Sequence, residues 1–259
     1  MINKNYLKLL RSKVIDEKNN FIYKKVSERI VDSLDLTKIN FNRILQLGIN
    51  DYVVYHYLLN KFPKSKFTQA DLYFKDNIGS SLNLNKIKID FDKIDFKNNH
   101  FDLIFSNFIL HLSNNIENSL IEIHKSMRPN AFFIASIPHF ENCYQLVNSM
   151  YRTDLEIYSG VYSRVNPTIQ IEKIISILKK INFDIPTVNT DSFIIEYSNF
   201  KNLLRDLKST RLSYSYDDKR GNFENKRYFK TLEKIYKNNY FNGNYLLEVK
   251  FNIISAWKK

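Results

Sequence analysis

The sequence predicts an α/β fold in which helices cover both faces of a doubly wound, mostly parallel β-sheet. Short apolar segments alternate with amphipathic ones, at a spacing that lets a helix return the chain between parallel strands. Some segments, such as Phe101–Ser106 (FDLIFS), are almost continuously apolar, as expected for strands buried on both faces. With 259 residues and 44% hydrophobic residues, the chain is long enough for one large domain with an insertion.

The first elements follow from the spacing of apolar residues. Between Phe21 and Leu36 the apolar side chains recur at helical spacing, which predicts an amphipathic helix. A strand at 43–47, a turn at Gly48 and a helix at 52–61 come next, and Pro63 ends that helix. We therefore expect residues 1–40 to form an N-terminal helical segment and residues 41–259 to form the sheet domain.

The remaining elements continue the alternation and then interrupt it. Strands are expected at 66–70, 86–89, 101–106 and 132–137, and around 193–197, with helices at 115–126 and 170–181. Residues 198–240 contain two helical patterns, which we interpret as a helical insertion before the last strand. Residues 245–257 alternate well enough to form that last strand.

Composition and charge exclude several classes of function. Lys and Arg number 39 against 27 Asp and Glu, so the net charge is 39 − 27 = +12, but the basic residues form no basic motif and predict no specific nucleic-acid partner. A single cysteine, Cys143, excludes an internal disulfide and a cysteine zinc cluster, and no HExxH or serine-hydrolase motif occurs, so no metal is predicted. No apolar run is long enough to span a membrane, and no signal core precedes the domain, which predicts a cytoplasmic location. The oligomeric state is left open.

The candidate site lies where predicted strands end. In an open parallel sheet, ligands bind beyond the carboxyl ends of the strands. Gly48 follows the first strand, Asp71 ends the second, 71 − 48 = 23 residues later, and Asp90 follows the third. A glycine lets the backbone approach a ligand, and an acid at the second strand end is placed to accept ribose hydroxyls. Acids at strand ends also cap turns and helices, so a structural role for Asp71 stays open.

Four sequence stretches resemble the class I S-adenosylmethionine-dependent methyltransferases: ILQLGIND, TQAD, FDLIFSNFILHL and EIHKSMRPNAFFIASI. Further along, NPTIQIEKIISILKKINFD and the terminal NIISAWKK resemble the assembly-factor family of NADH:ubiquinone oxidoreductase, respiratory complex I, from mitochondria and alphaproteobacteria. That family is related to the methyltransferase of biotin synthesis. The resemblance implies the seven-stranded, Rossmann-like methyltransferase sheet with an antiparallel last strand, and S-adenosylmethionine as cofactor.

The resemblance also implies roles for residues of this chain. Gly48 would line the methionine end of the cofactor, Asp71 would bind the ribose, and Asp90 with Phe91 would frame the adenine. Residues after the fourth strand would lie beside the cofactor and the substrate entrance, where His111 is a substrate-side candidate or a packed histidine. The implied cofactor-binding set is Gly48, Asn50, Asp71, Leu72, Asp90, Phe91 and Asn107. No catalytic residue is implied.

The glycine loop departs from the family pattern D-L-G-x-G-x-G. Gln46 replaces the acid, and only Gly48 of the three glycines is present. We expect Asn50 to adopt the left-handed conformation that the second glycine would supply. Tyr52 would place a large ring where the family keeps the loop close to the ligand, while Asp51 adds a neighbouring acid.

The resemblance predicts a methyltransferase-type enzyme that modifies a protein partner in complex I assembly. Because that family is thought to hydroxylate an arginine of a complex I subunit, the resemblance implies protein modification without choosing methylation. Two alternatives stay open. One is a non-catalytic scaffold whose cofactor loop has degenerated, and the other is an O-methyltransferase acting on a small molecule or an acyl carrier protein, as in biotin synthesis.

Overall fold

The computed structural model of the protein describes residues 1–13, 20–74, 84–210, 213–221 and 224–259. The α-helices within these ranges are α1 Lys4–Ser12, α2 Phe21–Asp35, α3 Val53–Lys61, α4 Ile116–Ser126, α5 Tyr144–Tyr158, α6 Ile171–Lys180, α7 Phe200–Ser209 and α8 Lys226–Tyr240. A short 3-10 helix, Leu110–Leu112, follows the fourth strand. The predicted helix over Phe21–Leu36 thus ends one residue earlier, at Asp35.

The strands of the described ranges form one sheet. They are β1 Arg43–Leu47, β2 Lys66–Asp71, β3 Leu84–Lys88, β4 Phe101–Asn107, β5 Met127–Pro138, β6 Phe183–Tyr197, the two-residue β7 Phe241–Asn242, and β8 Asn244–Lys258. The seven long strands lie in the order β3-β2-β1-β4-β5-β8-β6, and β7 pairs with β8.

Strand directions confirm the predicted fold class. Neighbours from β3 to β5 are all parallel, and β8 runs antiparallel to both β5 and β6. The sheet is therefore the mostly parallel, seven-stranded type with an antiparallel last strand in sequence. Strand order reverses between β1 and β4, which places the expected ligand crevice at the carboxyl ends of these two strands.

Helices bury both faces of the sheet. On β4, Leu103 and Phe105 pack into one apolar cluster with α2, α3, α7 and α8, whereas Ile104 packs into a second cluster with α1, α4 and α6. This is the alternation expected along a strand whose successive side chains point to opposite faces. It explains why the central strands consist almost entirely of apolar residues.

The sixth strand is the element that the sequence predicted least well. We expected it around 193–197, but β6 begins at Phe183, 193 − 183 = 10 residues earlier. It is the outermost strand of the sheet and alternates exposed with half-buried residues, so it has no apolar run. Pro186 lies at a register shift in its pairing with β8, a position where a strand tolerates proline. Along the chain, helices α7 and α8 follow β6 and precede β8. The domain limits at residues 40, 198 and 240 stay predictions.

Candidate functional site

The carboxyl ends of β1, β2 and β4 bring the predicted site residues together. The Gly48 N–H donates to the Ala70 carbonyl at 2.7 Å, and the next N–H, of Ile49, donates to Asp71 Oδ2 at 2.7 Å. Asn50 Nδ2 donates to the Asn107 carbonyl at 2.6 Å. Backbone and side chains of this edge therefore form one connected hydrogen-bond network.

Gly48 is required by the approach of a neighbouring side chain. Its φ is +78°, and a Cβ at this position would lie 2.1 Å from Ile109 Cγ1. The sequence pattern predicts close approach of a ligand at this glycine. In the structure, the space beside it is filled by Ile109, a residue of the loop after β4.

Asp71 is paired with Arg11 from helix α1. Arg11 Nε donates to Asp71 Oδ1 at 3.0 Å, and its Nη2 donates to Asp71 Oδ2. The same guanidinium donates to Asn50 Oδ1 at 2.5 Å and to the Ile49 carbonyl at 2.9 Å. Both side chains of the ion pair are buried, with 2% and 3% of their surface exposed. Burial alone would lower the pKa of Arg11, but the carboxylate of Asp71 raises it, so the guanidinium stays charged.

A second basic residue of α1 binds the acids after β3. Lys4 Nζ lies 2.9 Å from Asp90 Oδ1 and 2.6 Å from Asp92 Oδ2. Partial burial would raise the pKa of Asp92, but hydrogen bonds from Lys4, Ser113 and Asn114 lower it to about 2. Asp90 is half-buried, and Phe91 is buried in the core. Leu72, after β2, is half-buried against the same cluster.

Asn107 and Asp51 form a second buried network on the other side of the loop. Asn107 Nδ2 lies 2.9 Å from Ser27 Oγ and 3.0 Å from Asp51 Oδ2, and Asn107 Oδ1 accepts a hydrogen bond from Ser136 Oγ at 2.8 Å. Asp51 also accepts from the Val53 N–H at 2.9 Å, at the start of α3. Burial raises the pKa of Asp51, opposed by these hydrogen bonds. Asp51 thus binds the first N–H of α3 and the Ser27 hydroxyl of α2, a structural role at this position.

One expectation about the loop is wrong. Asn50 is absent from the described residues with a positive φ, so it does not supply the left-handed turn of the missing glycine. Its side chain instead bridges Arg11 and Asn107, which explains an asparagine there. The Tyr52 ring contacts the first turns of α3, where it lies 6.4 Å from the Tyr55 ring and 6.1 Å from the His56 ring between centroids.

The missing acid at Gln46 is replaced by neutral hydrogen bonds. Gln46 Oε1 accepts from Gln69 Nε2 at 2.8 Å, and Gln46 Nε2 donates to the Asp51 carbonyl at 3.2 Å. The two glutamines are cross-strand partners on β1 and β2. Both glutamines are buried, and these hydrogen bonds satisfy the side-chain amide of Gln46. No charge therefore lies at the position where the family carries one.

His111 is buried and lies at a wide cleft. Its Nδ1 has no hydrogen-bond partner, and burial lowers its pKa to about 3, so the imidazole is neutral near pH 7. Phe108, three residues earlier, has a left-handed backbone with φ of 52° and packs edge-on against the His111 ring. A non-glycine residue in this conformation stores strain, which often marks functional segments.

The cleft has a volume of about 1420 Å³ and opens between α5, α7, α8 and the segments at 163–168 and 213–220. Phe108 and His111 are buried residues of its lining. Lys201, Arg205 and Lys208 of α7 line it at helical spacing, so they share one face of that helix. Across the cleft, Arg164 and Arg220 are both paired with Glu224. The described lining therefore carries a surplus of positive charge.

Sequence reasoning missed Arg11, Lys4 and the conformation of Phe108. A usable signal existed for the first two, since Lys4, Leu7 and Arg11 recur at the spacing of one helical face. Among the described residues, no group of three or more His, Cys, Asp or Glu residues could hold a metal ion. Within the same ranges, no helix is long and apolar enough to cross a membrane.

The residue chemistry of the edge fits S-adenosylmethionine, but the conformation does not leave the acid available. Gly48 supplies the turn and Asp71 supplies a carboxylate, while Phe91, next to Asp90, is packed in the core. Both carboxylate oxygens of Asp71 are hydrogen-bonded to Arg11, and Oδ2 also to the Ile49 N–H. Three of the roughly four acceptor positions of this carboxylate are filled, and 3% of its surface is exposed, so a ribose diol could reach both oxygens only after Arg11 moves.

Comparison with known proteins agrees with this fold. A profile of the methyltransferase domain family matches residues 50–135. The mitochondrial arginine hydroxylase NDUFAF5 of Dictyostelium discoideum is 29% identical over 256 residues, which cover 91% of this chain and 58% of that protein. A malonyl-[acyl-carrier protein] O-methyltransferase of Coxiella burnetii is 21% identical, over 71% of this chain and 62% of its own length.

Among solved structures, phosphoethanolamine N-methyltransferase 2 of Haemonchus contortus, in complex with S-adenosyl-L-methionine, superposes with a TM-score of 0.51 and 15% identity, over 90% of this chain and 52% of that one. The resemblance to the methyltransferase superfamily and to both named families is confirmed. The chain spans about three fifths of the length of the two curated relatives.

Proposed function

From a chain with the methyltransferase fold and similarity to the arginine-hydroxylase and carrier-methyltransferase families, we propose an S-adenosylmethionine-dependent enzyme that modifies a protein partner in respiratory complex I assembly. The observation that carries the proposal is the position of the cleft: its lining includes Phe108 and His111, which follow Asn107, the last residue of β4, in the chain. A substrate in the cleft would thus reach the edge where the cofactor is expected. Similarity to the assembly-factor relative extends over more of the chain than similarity to the carrier methyltransferase.

The cofactor would supply a methyl group on a sulfonium centre. In this chain, Asp71 would accept hydrogen bonds from the ribose, and the segment from Asn107 to His111 would separate the cofactor from the substrate cleft. A neutral His111 can accept a hydrogen bond from a substrate nucleophile or donate one to it, because a neutral imidazole has one nitrogen of each kind. We assign it a positioning role, since alignment of the nucleophile with the methyl carbon is the main task of such a site.

The cleft supports a protein as substrate. It is larger than the roughly 300–1,000 Å³ of common small-molecule pockets. The basic face of α7 favours a partner segment with acidic residues beside the modified one. The cytoplasmic location stays a prediction from the sequence.

Binding and product analysis test the proposal together. S-adenosylmethionine and S-adenosylhomocysteine should bind the protein in calorimetry. Because Arg11 is paired with Asp71, the ribose contribution is read in the Arg11→Ala background, where Asp71→Ala should weaken the binding by about 1–3 kcal/mol through lost hydrogen bonds to the ribose. Mass spectrometry of candidate complex I subunits incubated with the protein would then distinguish an added methyl group from an added oxygen. Absence of both modifications despite cofactor binding would contradict the enzymatic function and favour the non-catalytic scaffold, and modification of an acyl carrier protein instead would favour the biotin-type alternative.

A further inference from the structure

Helix α1 presents two basic side chains to the acids of the candidate cofactor site. Lys4 and Arg11 are seven residues apart, close to two helical turns, so they lie on the same face. Arg11 binds Asp71, which the resemblance assigns to the ribose, and Lys4 binds Asp90, assigned to the adenine end. One helix face therefore pairs with both acids on which cofactor binding would depend.

The Arg11 contact and the burial of the pair together keep a ribose away from this carboxylate. The guanidinium donates to both oxygens of Asp71 and also to the side chain of Asn50. A ribose diol would have to donate to those same oxygens, and both partners are already almost fully buried. Charge-assisted bidentate pairs of this kind are stronger than bonds from neutral hydroxyls, so the helix competes effectively for the site.

Helix α1 is anchored by its other contacts to a wall of the substrate cleft. Leu7 and Leu10 are buried in the core. The Asn3 N–H donates to the Ser215 carbonyl at 2.7 Å, and Ile2 forms a β-bridge with Tyr216. Ser215 and Tyr216 belong to the segment 213–221, whose residues include members of the cleft wall.

Lys219 adds a further contact between the cleft and the helix. Its Nζ lies 3.6 Å from the centre of the Tyr6 ring, and Lys219 itself lines the cleft. Such a contact stabilises the helix against the cleft wall through a cation–π interaction. Displacement of α1 would break this contact and the bonds to Ser215 together.

We propose that α1 is an internal competitor of the cofactor, so that binding of S-adenosylmethionine displaces Arg11 from Asp71 and loosens the wall of the substrate cleft. This inference rests on the proposed function. The form in which Arg11 binds Asp71 is then the resting state of the protein. The competition also couples the two sites, because the helix that leaves the cofactor edge is the one that holds segment 213–221.

Removal of Arg11 should strengthen cofactor binding. The affinity of a ligand falls by the fraction of protein in the competent state, so a variant that favours the open state binds more tightly. We expect Arg11→Ala to bind S-adenosylhomocysteine at least about tenfold more tightly than the natural protein in calorimetry. Lys8→Ala removes the same charge from an exposed position of the same helix and should leave the affinity unchanged. Arg11→Gln, which retains hydrogen-bonding capacity, serves as a second variant if Arg11→Ala fails to fold.

Hydrogen exchange in the natural protein provides a test that needs no variant. Addition of S-adenosylhomocysteine should speed the exchange of backbone amides in Lys4–Ser12, because the ligand releases the helix. A helix that closed over the ligand would exchange more slowly instead. That result would overturn the competition.

The outcomes separate this inference from the proposed function. If the natural protein and both Arg11 variants bound S-adenosylhomocysteine with equal affinity, the competition would be wrong. The proposal that the protein binds this cofactor would still hold. If neither the natural protein nor the Arg11 variants bound S-adenosylhomocysteine at millimolar concentration, the cofactor and the competition would both be wrong.

Discussion

Substitution of Gly48 by alanine isolates the packing that shapes the loop after β1. The backbone φ of +78° would cost a residue with a Cβ about 1–2 kcal/mol. The added carbon would also lie 2.1 Å from Ile109 Cγ1 and 2.5 Å from Cδ1, and overpacking of this kind costs about 1–3 kcal/mol. We therefore expect Gly48→Ala to lower the free energy of unfolding by about 2–5 kcal/mol, summed from these two contributions.

Two other glycines separate the contributions. Gly243 has φ of +76° with nothing within 4 Å of a built Cβ, so Gly243→Ala should show the backbone cost alone, about 1–2 kcal/mol. Gly221 has open space and no positive φ, and Gly221→Ala should change stability by less than about 1 kcal/mol. Urea unfolding followed by circular dichroism would measure the free energies of unfolding of all three variants, which we expect to unfold with an unchanged denaturant slope.

A double-mutant cycle tests the named contact directly. Ile109→Ala removes the two atoms nearest to the new carbon and leaves the Ile109 Cβ at 3.1 Å. It should therefore cost less in the Gly48→Ala background than in the natural protein, by about 1–3 kcal/mol. The contrary result would be that Gly48→Ala and Gly243→Ala are equally destabilising and that the effects of Gly48→Ala and Ile109→Ala are additive. That result would show that the contact with Ile109 does not account for the glycine at position 48.

Two further predictions follow from buried titratable groups. Because burial lowers the pKa of His111 from 6.5 to about 3, the unfolded chain binds a proton there that the folded chain does not, and stability should fall as pH falls from 6.5 towards 3. In urea unfolding, His111→Gln should reduce the pH dependence of the free energy of unfolding by up to about 1.4 kcal/mol per pH unit. Substitution of the exposed His56 by Gln should leave that dependence intact. A larger effect of the His56 substitution would contradict the assignment of the dependence to His111. Burial raises the pKa of the Cys143 thiol from 9.0 to about 12, so the folded protein should react with iodoacetamide at pH 8 about a thousandfold more slowly than the protein in urea, and similar rates would show that the thiol is accessible and acidic.

Most of the sheet could be predicted from the sequence because the central strands are buried on both faces. The β4 segment is a continuous apolar run, and such runs leave few alternatives to a buried parallel strand. Gly48 and Asp71 could be placed at one edge for the same reason, since the ends of adjacent parallel strands meet there. The edge strand β6 was recognised over only its last third, because one side of it faces no further strand and its apolar pattern is correspondingly weak.

The partners of the site residues could not be predicted in this way. Arg11 and Asp71 are 60 positions apart, and nothing local in either segment relates one to the other. The amphipathic pattern of α1 indicates a helix with one apolar face, but many surfaces of the sheet could accept that face. The left-handed conformation expected of Asn50 was wrong for a similar reason, because the contacts of its side chain lie on α1 and at the end of β4.

The sequence alone therefore predicts the fold class, the antiparallel last strand implied by its resemblance and the edge of the sheet where the candidate residues gather. Periodicity and apolar runs decide these properties because they depend on neighbouring residues along the chain. Only the tertiary structure decided that Ile109 fills the space beside Gly48 and that Arg11 occupies the carboxylate of Asp71. Such contacts depend on where distant segments pack, and the free energy of packing is shared among many side chains that local sequence patterns do not relate to one another.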